Sequence, residues 1–416
     1  MWPEERSFEI IYPAYASEAR GNDCLSSALT NTEMEIPFHK PYITEDEISE
    51  VLDSLRSGWL TMGPKTMEFE RRFADYIGAA YSVSMNSCTA GLHLALKAID
   101  LQEGDEVIIP TITFTATAEV ITYFKAKPVF VDVEVGTCNI DPLRIEEKIT
   151  RKTRAIIPVH YAGQPCDMDE IISMARRYGL YVIEDAAHAI PAWYRNRKVG
   201  TIGDMTCFSF YATKSLTTGE GGMVTTGNEE WADRLRTLRL HGISRDAWKR
   251  YTKEGSWFYE VMEAGFKYNM TDLQAALGLA QLRKVEWMWQ RRKEIAKSYG
   301  EALGSLTGVE VPVVKDDRES SWHLYVIKFD VDALKIERNQ LIEELKDRGI
   351  MTSVHFIPLY RHAYYKQLCN CDAGEFPVSE YLYERFLSLP IYPGMTDRDV
   401  ERVAESVIDV LAAGVR

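Results

Sequence analysis

The sequence predicts an α/β protein: a large, mostly parallel sheet covered by helices, followed by a smaller α+β part. Three observations predict it. Short apolar runs alternate with segments of helical period from Val83 to Phe210. Several of these runs end in a polar or acidic residue, as in Tyr181-Val-Ile-Glu-Asp185, where open α/β sheets place their ligand sites. Beyond about Val311 the alternation gives way to sparser strand and helix patterns.

The elements follow in order. Residues 1–35 mix Pro, Ser, Asn and Gly with charges and show no steady period, so they read as an amino-terminal extension, part ordered at best. Thr44 with Glu47 is a capping box opening a helix through Ile48, Val51, Leu52 and Leu55 that stops before Gly58. Trp59 to Pro64 is a turn, and Met67–Ile77 a second amphipathic helix. Val83-Ser-Met85 is a strand leading through Asn86-Ser87-Cys88-Thr89 into a helix over Leu92–Ile99. Val107–Pro110, Pro128–Asp132 and Ala155–His160 are further strands, with helices ending at Phe124 and spanning Ile171–Tyr178. Repeated βα units of this kind mean a sheet buried on both faces. Trp231–Leu238 and a long segment from Thr271 to Ser298 are helical. Leu324–Phe329 and Met351–Phe356 read as strands, and Arg338–Arg348 and Thr396–Leu411 as helices. We therefore expect a large domain over residues 36–300 and a small one over 301–416.

Composition narrows the function classes. With 46% hydrophobic and 26% charged residues, the 416-residue chain reads as an ordinary globular protein. No apolar run approaches the roughly 20 residues that cross a bilayer, and the start lacks a basic region followed by an apolar one, so neither a membrane span nor a secretory leader is expected. A net charge of −14 argues against nucleic acid as a partner. The seven cysteines lack zinc-type spacing, and Cys369 and Cys371, one residue apart, match neither a redox pair nor a zinc ribbon. Reduced thiols in a cytoplasm, with no metal, are the expectation.

One stretch, Tyr181 to Val224, organises the chemistry. It sets Asp185 at the end of one strand and Lys214 just past another, in a turn rich in Thr and Gly. A lysine amine can condense with a cofactor aldehyde while a carboxylate keeps the pyridine nitrogen of that cofactor protonated. Either residue alone is more often a cap or a solvated side chain. Their neighbours favour the ligand reading. Ser209, Gly219, Gly221 and Gly222 suit a backbone passing close to a phosphate, and Ala186 and Ala187 leave room for a flat ring. Ser87, Cys88 and Thr89 open a helix whose free amides and dipole suit an anion, or serve as a plain cap. Phe114 could stack on a flat ring or pack in the core. No strand–GxGxxG–helix unit appears, which disfavours a dinucleotide dehydrogenase.

Over Ile36–Leu411 the chain resembles the DegT/StrS sugar aminotransferases, fold type I pyridoxal-phosphate enzymes. The motifs that carry the resemblance are SGWLTMGP (57–64), NSCTAGLHLAL (86–96), GDEVIIPTITFTATA (104–118), PVFVDV (128–133), IIPVHYAGQPCDM (156–168), EDAAHA (184–189), FSFYATKSLTTGEGGMV (208–224) and KYNMTDLQAALGLAQL (267–282). The resemblance implies that Lys214 binds pyridoxal 5′-phosphate covalently and moves the proton, that Asp185 pairs with the ring nitrogen, and that His188 approaches the phenolic oxygen. It implies Phe114 and Ala187 on the two ring faces. Cys88 and Thr89 amides, with the Thr89 and Ser209 hydroxyls, would hold the phosphate, joined by Asn269 from a second subunit of a homodimer with shared sites.

Relatives usually carry Gly at Cys88, where a positive φ would be strained, and His at Tyr360. A member retaining the lysine is expected to transaminate, moving an amino group from glutamate to a keto sugar on a nucleotide diphosphate, a 4-keto sugar by its GEGG turn and KYNMTD segment. Alternatives within the fold are a 3-keto sugar, a cyclitol or dehydration; a non-catalytic cofactor-binding sensor is a further one. Candidate substrate contacts are His160, Gln164, His323 and His355, each equally readable as a satisfied structural residue, together with Tyr360 and a basic, aromatic loop at 241–251 carrying Arg245, Trp248, Lys249, Arg250 and Tyr251, which reads alternatively as a solvated surface loop. Charge and stacking on that loop would suit a nucleotide diphosphate.

Overall fold

Each of the expected strands in the first half pairs with neighbours that its burial demands. A computed structural model describes residues 35–244 and 259–414. The extension to residue 34 and most of the basic loop, Arg245 and Trp248 included, lie outside the described residues. From Ile36 onward the described residues form one compact unit.

Its strands are β1 (Tyr81–Met85), β2 (Glu106–Pro110), β3 (Lys127–Val131), β4 (Thr153–Ile156), β5 (Tyr181–Asp185), β6 (Trp193–Tyr194), β7 (Arg197–Lys198), β8 (Met205–Ser209), β9 (Gly222–Thr226), β10 (Val309–Glu310), β11 (Arg318–Glu319), β12 (Tyr325–Phe329) and β13 (Phe386–Leu389). Seven of them make one sheet in the order β1-β9-β8-β5-β4-β2-β3. Only β9 runs against its neighbours. The others are parallel and buried on both faces, which is why they read as continuous apolar runs. Their carboxyl ends therefore open on one side of the sheet.

Helices α1 (Glu45–Ser57) and α2 (Pro64–Ile77) pack on the sheet side that α7 (Asp272–Arg283) also covers. The capping box at Thr44 is present, its amide donating to Glu47 Oε2 at 2.7 Å, and Gly58 ends α1 with a φ of 75°. Buried Asp272 accepts from the amides of Gly63, Lys65 and Thr66 and from the Thr66 hydroxyl, so the first turn of α7 caps α2. The helix α3 (Cys88–Ala98) is buried nearly all round between the sheet, α4 (Ala116–Thr122) and α6 (Glu229–Leu238).

Two expectations need correction. The segment 271–298 is two helices, α7 and α8 (Val285–Leu303), broken at Lys284 with φ −118° and ψ 10°. Its ammonium is drawn to Thr44 Oγ1 at 2.9 Å and to the Glu47 carboxylate, so a tertiary ion pair terminates a run that is helical by propensity. Met351–Phe356 is no strand: only Ser353 bridges, to Ser388 of β13. Helix α8 crosses residue 300, its start in the core around Phe69 and Phe210 and its end in that around Leu341 and Val403. The division into residues 36–300 and 301–416 is thus a proposal in which the two parts share a helix.

Candidate active site

Strand alternation sends adjacent acids to opposite faces, and Glu184 and Asp185 do different work. Glu184 is fully buried and accepts from His160 Nε2 (2.8 Å), Thr206 Oγ1 (2.7 Å) and the Gly203 amide (2.7 Å). Burial pushes its carboxyl up, but these donors outweigh it and hold the acid below its ordinary range. Because the Cys166 amide donates to His160 Nδ1, the proton of that imidazole lies on Nε2. His160 is therefore consumed by a structural pair and does not reach the site, against expectation.

Asp185 is 5% exposed and lines a cavity of about 620 Å³. The Thr117 hydroxyl (2.8 Å) and the Ala187 amide (3.1 Å) donate to it. Burial still wins, raising its carboxyl above the usual value. Two donors leave acceptor capacity for a third, cationic one.

Lys214 lines the same cavity, on the turn that follows β8, its amide donating to Tyr211 O. Burial lowers its ammonium to about 8, with Asp185 and Cys88 opposing. Ser209 closes β8 at the cavity wall beside Ser87, Cys88 and Thr89. Ser87 caps α3, its hydroxyl accepting from the Ala90 amide at 3.0 Å. A Cβ on Gly222 would stand 2.5 Å from the Ser87 carbonyl and 2.6 Å from the Cys88 amide nitrogen, so glycine lets β9 support this helix start from below. Cys88 is the first residue of the helix and is not among the positive-φ residues, so the expected strain is absent.

Ala187, His188, His323, His355 and a 58%-exposed Phe114 complete the walls as expected. Phe38, His39, Glu220 and Phe356 join them unforeseen. The pair Phe38-His39 follows Pro37 ahead of the first helix, and that local signal was legible. Burial lowers His39 to about 3 and His355 to about 4, aided by Arg292 and Lys214 at His39 and by Lys214 at His355. Burial likewise carries His188 and His323 well below the ordinary imidazole value. The four imidazoles of the cavity wall are thus held neutral, beside the rings of Phe38 and Phe356.

Other expected contacts fall elsewhere. Gln164 spends its amide on Val313 O (2.8 Å) and the Lys315 amide (2.9 Å). Tyr360 is core: it stacks on Phe376 and donates to Glu380 Oε1 at 2.6 Å. Asn269, expected to serve the site of a second subunit and not its own, is buried outside this cavity, bonded to Met270 O and Lys267.

An acid and a lysine in one cavity, under the start of an eleven-residue helix, fit a flat phosphorylated pyridine. Fold and site together define a fold type I pyridoxal-phosphate enzyme. Residues 41–408 match the DegT/DnrJ/EryC1/StrS aminotransferase family, and the chain belongs to it. It is 56% identical over 377 residues to the uncharacterised protein MJ1066 of Methanocaldococcus jannaschii, covering 91% of this chain and 98% of that one. It is 50% identical to the spore coat polysaccharide biosynthesis protein SpsC of Bacillus subtilis, covering 90% and 97%. Among solved structures, the putative sugar aminotransferase Spr1654 of Streptococcus pneumoniae in its PMP form superposes with a TM-score of 0.85 at 36% identity, covering 92% and 98%. Spr1654 is also solved in a PLP form. Helicobacter pylori PseC, an aminotransferase of pseudoaminic acid biosynthesis, gives 0.84 at 30% identity, covering 91% and 100%. The protein is a pyridoxal-phosphate-dependent sugar aminotransferase of this family.

Proposed function

We propose that the enzyme moves an amino group from glutamate to the keto carbon of a nucleotide-diphosphate-linked sugar, a 4-keto sugar in the first instance. The observation that supports it is the buried Asp185 and the half-buried Lys214 lining one cavity beneath the start of α3. When bound, pyridoxal phosphate supplies an electron sink and a temporary carrier for the amino group. Lys214, with its ammonium lowered to about 8, attaches the cofactor and moves the proton at the reacting carbon. Asp185 would hold the proton on the pyridine nitrogen, and His188 would face the phenolic oxygen. Phe114 and Ala187 would flank the ring. The Cys88 and Thr89 amides and the Thr89 and Ser209 hydroxyls would hold the phosphate, with Asn269 contributed by a second copy in a homodimer.

The uncharged imidazole wall suits sugar hydroxyls, which both donate and accept. The name of SpsC supports a product destined for a surface polysaccharide, and the six described cysteines, all free, fit a reducing cytoplasm. No helix among the described residues is long and apolar enough to cross a membrane.

The test is a panel of 3-keto and 4-keto sugars, each free and nucleotide-linked, incubated with glutamate. Amino sugar and 2-oxoglutarate should form together, the product mass and ring position read by mass spectrometry and NMR. Amination of the free sugars or cyclitols alone would refute the nucleotide-linked substrate.

A further inference from the structure

His188 has no polar anchor for its ring. Its Nδ1 is buried without a hydrogen-bond partner among the described residues, which leaves Nε2 as the ring nitrogen open to the cavity. In the tautomer that carries its proton on Nε2, that N–H faces the cavity and can donate to an acceptor there. What fixes the ring is aromatic contact. His323 lies against it at 4.4 Å between centroids with a 43° tilt, and Phe356 stacks at 5.9 Å and 24°.

The contact comes from a strap, residues 320–324, that is itself held on several sides. The Ser321 hydroxyl donates to the His188 carbonyl, and the Ser321 amide donates to Gly163 O at 3.1 Å. The Leu324 amide donates to Ala162 O at 3.3 Å. Fully buried Arg292 donates from Nη1 to the carbonyls of Trp322, His323 and Ile391. Gly163, with φ 102°, has no room for a Cβ, which would stand 2.0 Å from Ser321 Oγ. So much fixation around one histidine points to aim as well as packing.

We propose that His323 is the positioning residue for His188, turning its Nε2–H into the cavity, with Ser321 holding the backbone of His188 in register. The proposal rests on the reading that His188 faces the phenolic oxygen of the cofactor. It extends that reading to a residue that touches neither the phosphate cradle nor the Asp185–Lys214 pair.

The experiment is a double-mutant cycle on the cofactor-loaded enzyme, read by the absorption maximum of the bound pyridoxal phosphate and by its dissociation constant. Loss of a hydrogen bond to a charged oxygen should weaken binding about tenfold in His188→Ala and move the maximum. His323→Ala should reproduce at least half of both effects, and the double variant should go no further than His188→Ala. His323→Phe, which keeps a ring in place, should restore the wild-type maximum. Ser321→Ala, which loses only a hydroxyl, should shift the maximum in the same direction and serves if His323→Ala does not fold. A His323→Ala spectrum like wild type, or fully additive effects, would overturn the positioning role while leaving His188 in place. If His188→Ala itself changes neither reading, the assignment of His188 fails first and the positioning role with it.

Discussion

At the scale of single residues the site works by opposed effects of burial. Enclosure lowers Lys214 from 10.5 to about 8 while raising Asp185, and each charge partly relieves the other. At pH 7 this gives Lys214 on the order of 300 times more free amine than an ordinary lysine. The free amine is the nucleophile, so capture of pyridoxal phosphate by cofactor-free protein should accelerate with rising pH and level off above about 8, followed by stopped-flow absorbance. Asp185→Asn removes a charge that raises Lys214, so the break should move to lower pH, while turnover falls by about a hundredfold or more. A break that stays put would show the two groups to be uncoupled. Lys214, Asp185 and Phe114 were legible because a charged or aromatic residue at or just past a strand end departs from the run that carries it, whereas His188 came forward only through the family resemblance. His160 and Gln164 were equally open to a structural reading, and Tyr360 rested on the resemblance. Glu184, Val313 and Glu380 take up their hydrogen-bonding capacity, and long-range partners of that kind leave no mark in the sequence.

At the scale of elements the phosphate cradle depends on how closely β9 passes under α3. Gly222→Ala forces a methyl against the Ser87 carbonyl and should cost about 1–3 kcal/mol. Shifting the helix start should also weaken cofactor binding about tenfold, whereas Gly219→Ala, at φ 78° with open space around it, should lose stability through backbone strain and keep its cofactor. Thermal melts with and without pyridoxal phosphate separate the two. Cys88 makes the reverse case: in the first turn of α3, replacement by Gly should lower stability by about 0.5–1 kcal/mol instead of relieving strain. Capping boxes, βα alternation and buried parallel strands were readable from local pattern. The break at Lys284 and the short bridge at Ser353 were not, since the first is set by Glu47 and the second by β13, far along the chain.

At the scale of the whole molecule, the reading that Asn269 completes a neighbour's phosphate site requires two copies. Light scattering should give twice the 47.5 kDa chain mass. Mixing Lys214→Ala and Asn269→Ala subunits, each weak alone, should restore activity toward about a quarter of wild type, because half the dimers then hold one intact site. No recovery on mixing would place each site within a single chain. Helix α8, which carries residues of two hydrophobic cores, ties the sheet to the carboxyl-terminal part, so the placement of His323 and His355 at the cavity wall depends on that junction.

The central claim is that one amine, that of Lys214, carries the cofactor. Borohydride reduction of the loaded enzyme followed by peptide mass spectrometry tests it most directly. Reduction should leave a pyridoxal-phosphate adduct on the peptide containing Lys214 and none in Lys214→Ala. An adduct on another lysine, or full labelling of that variant, would contradict it.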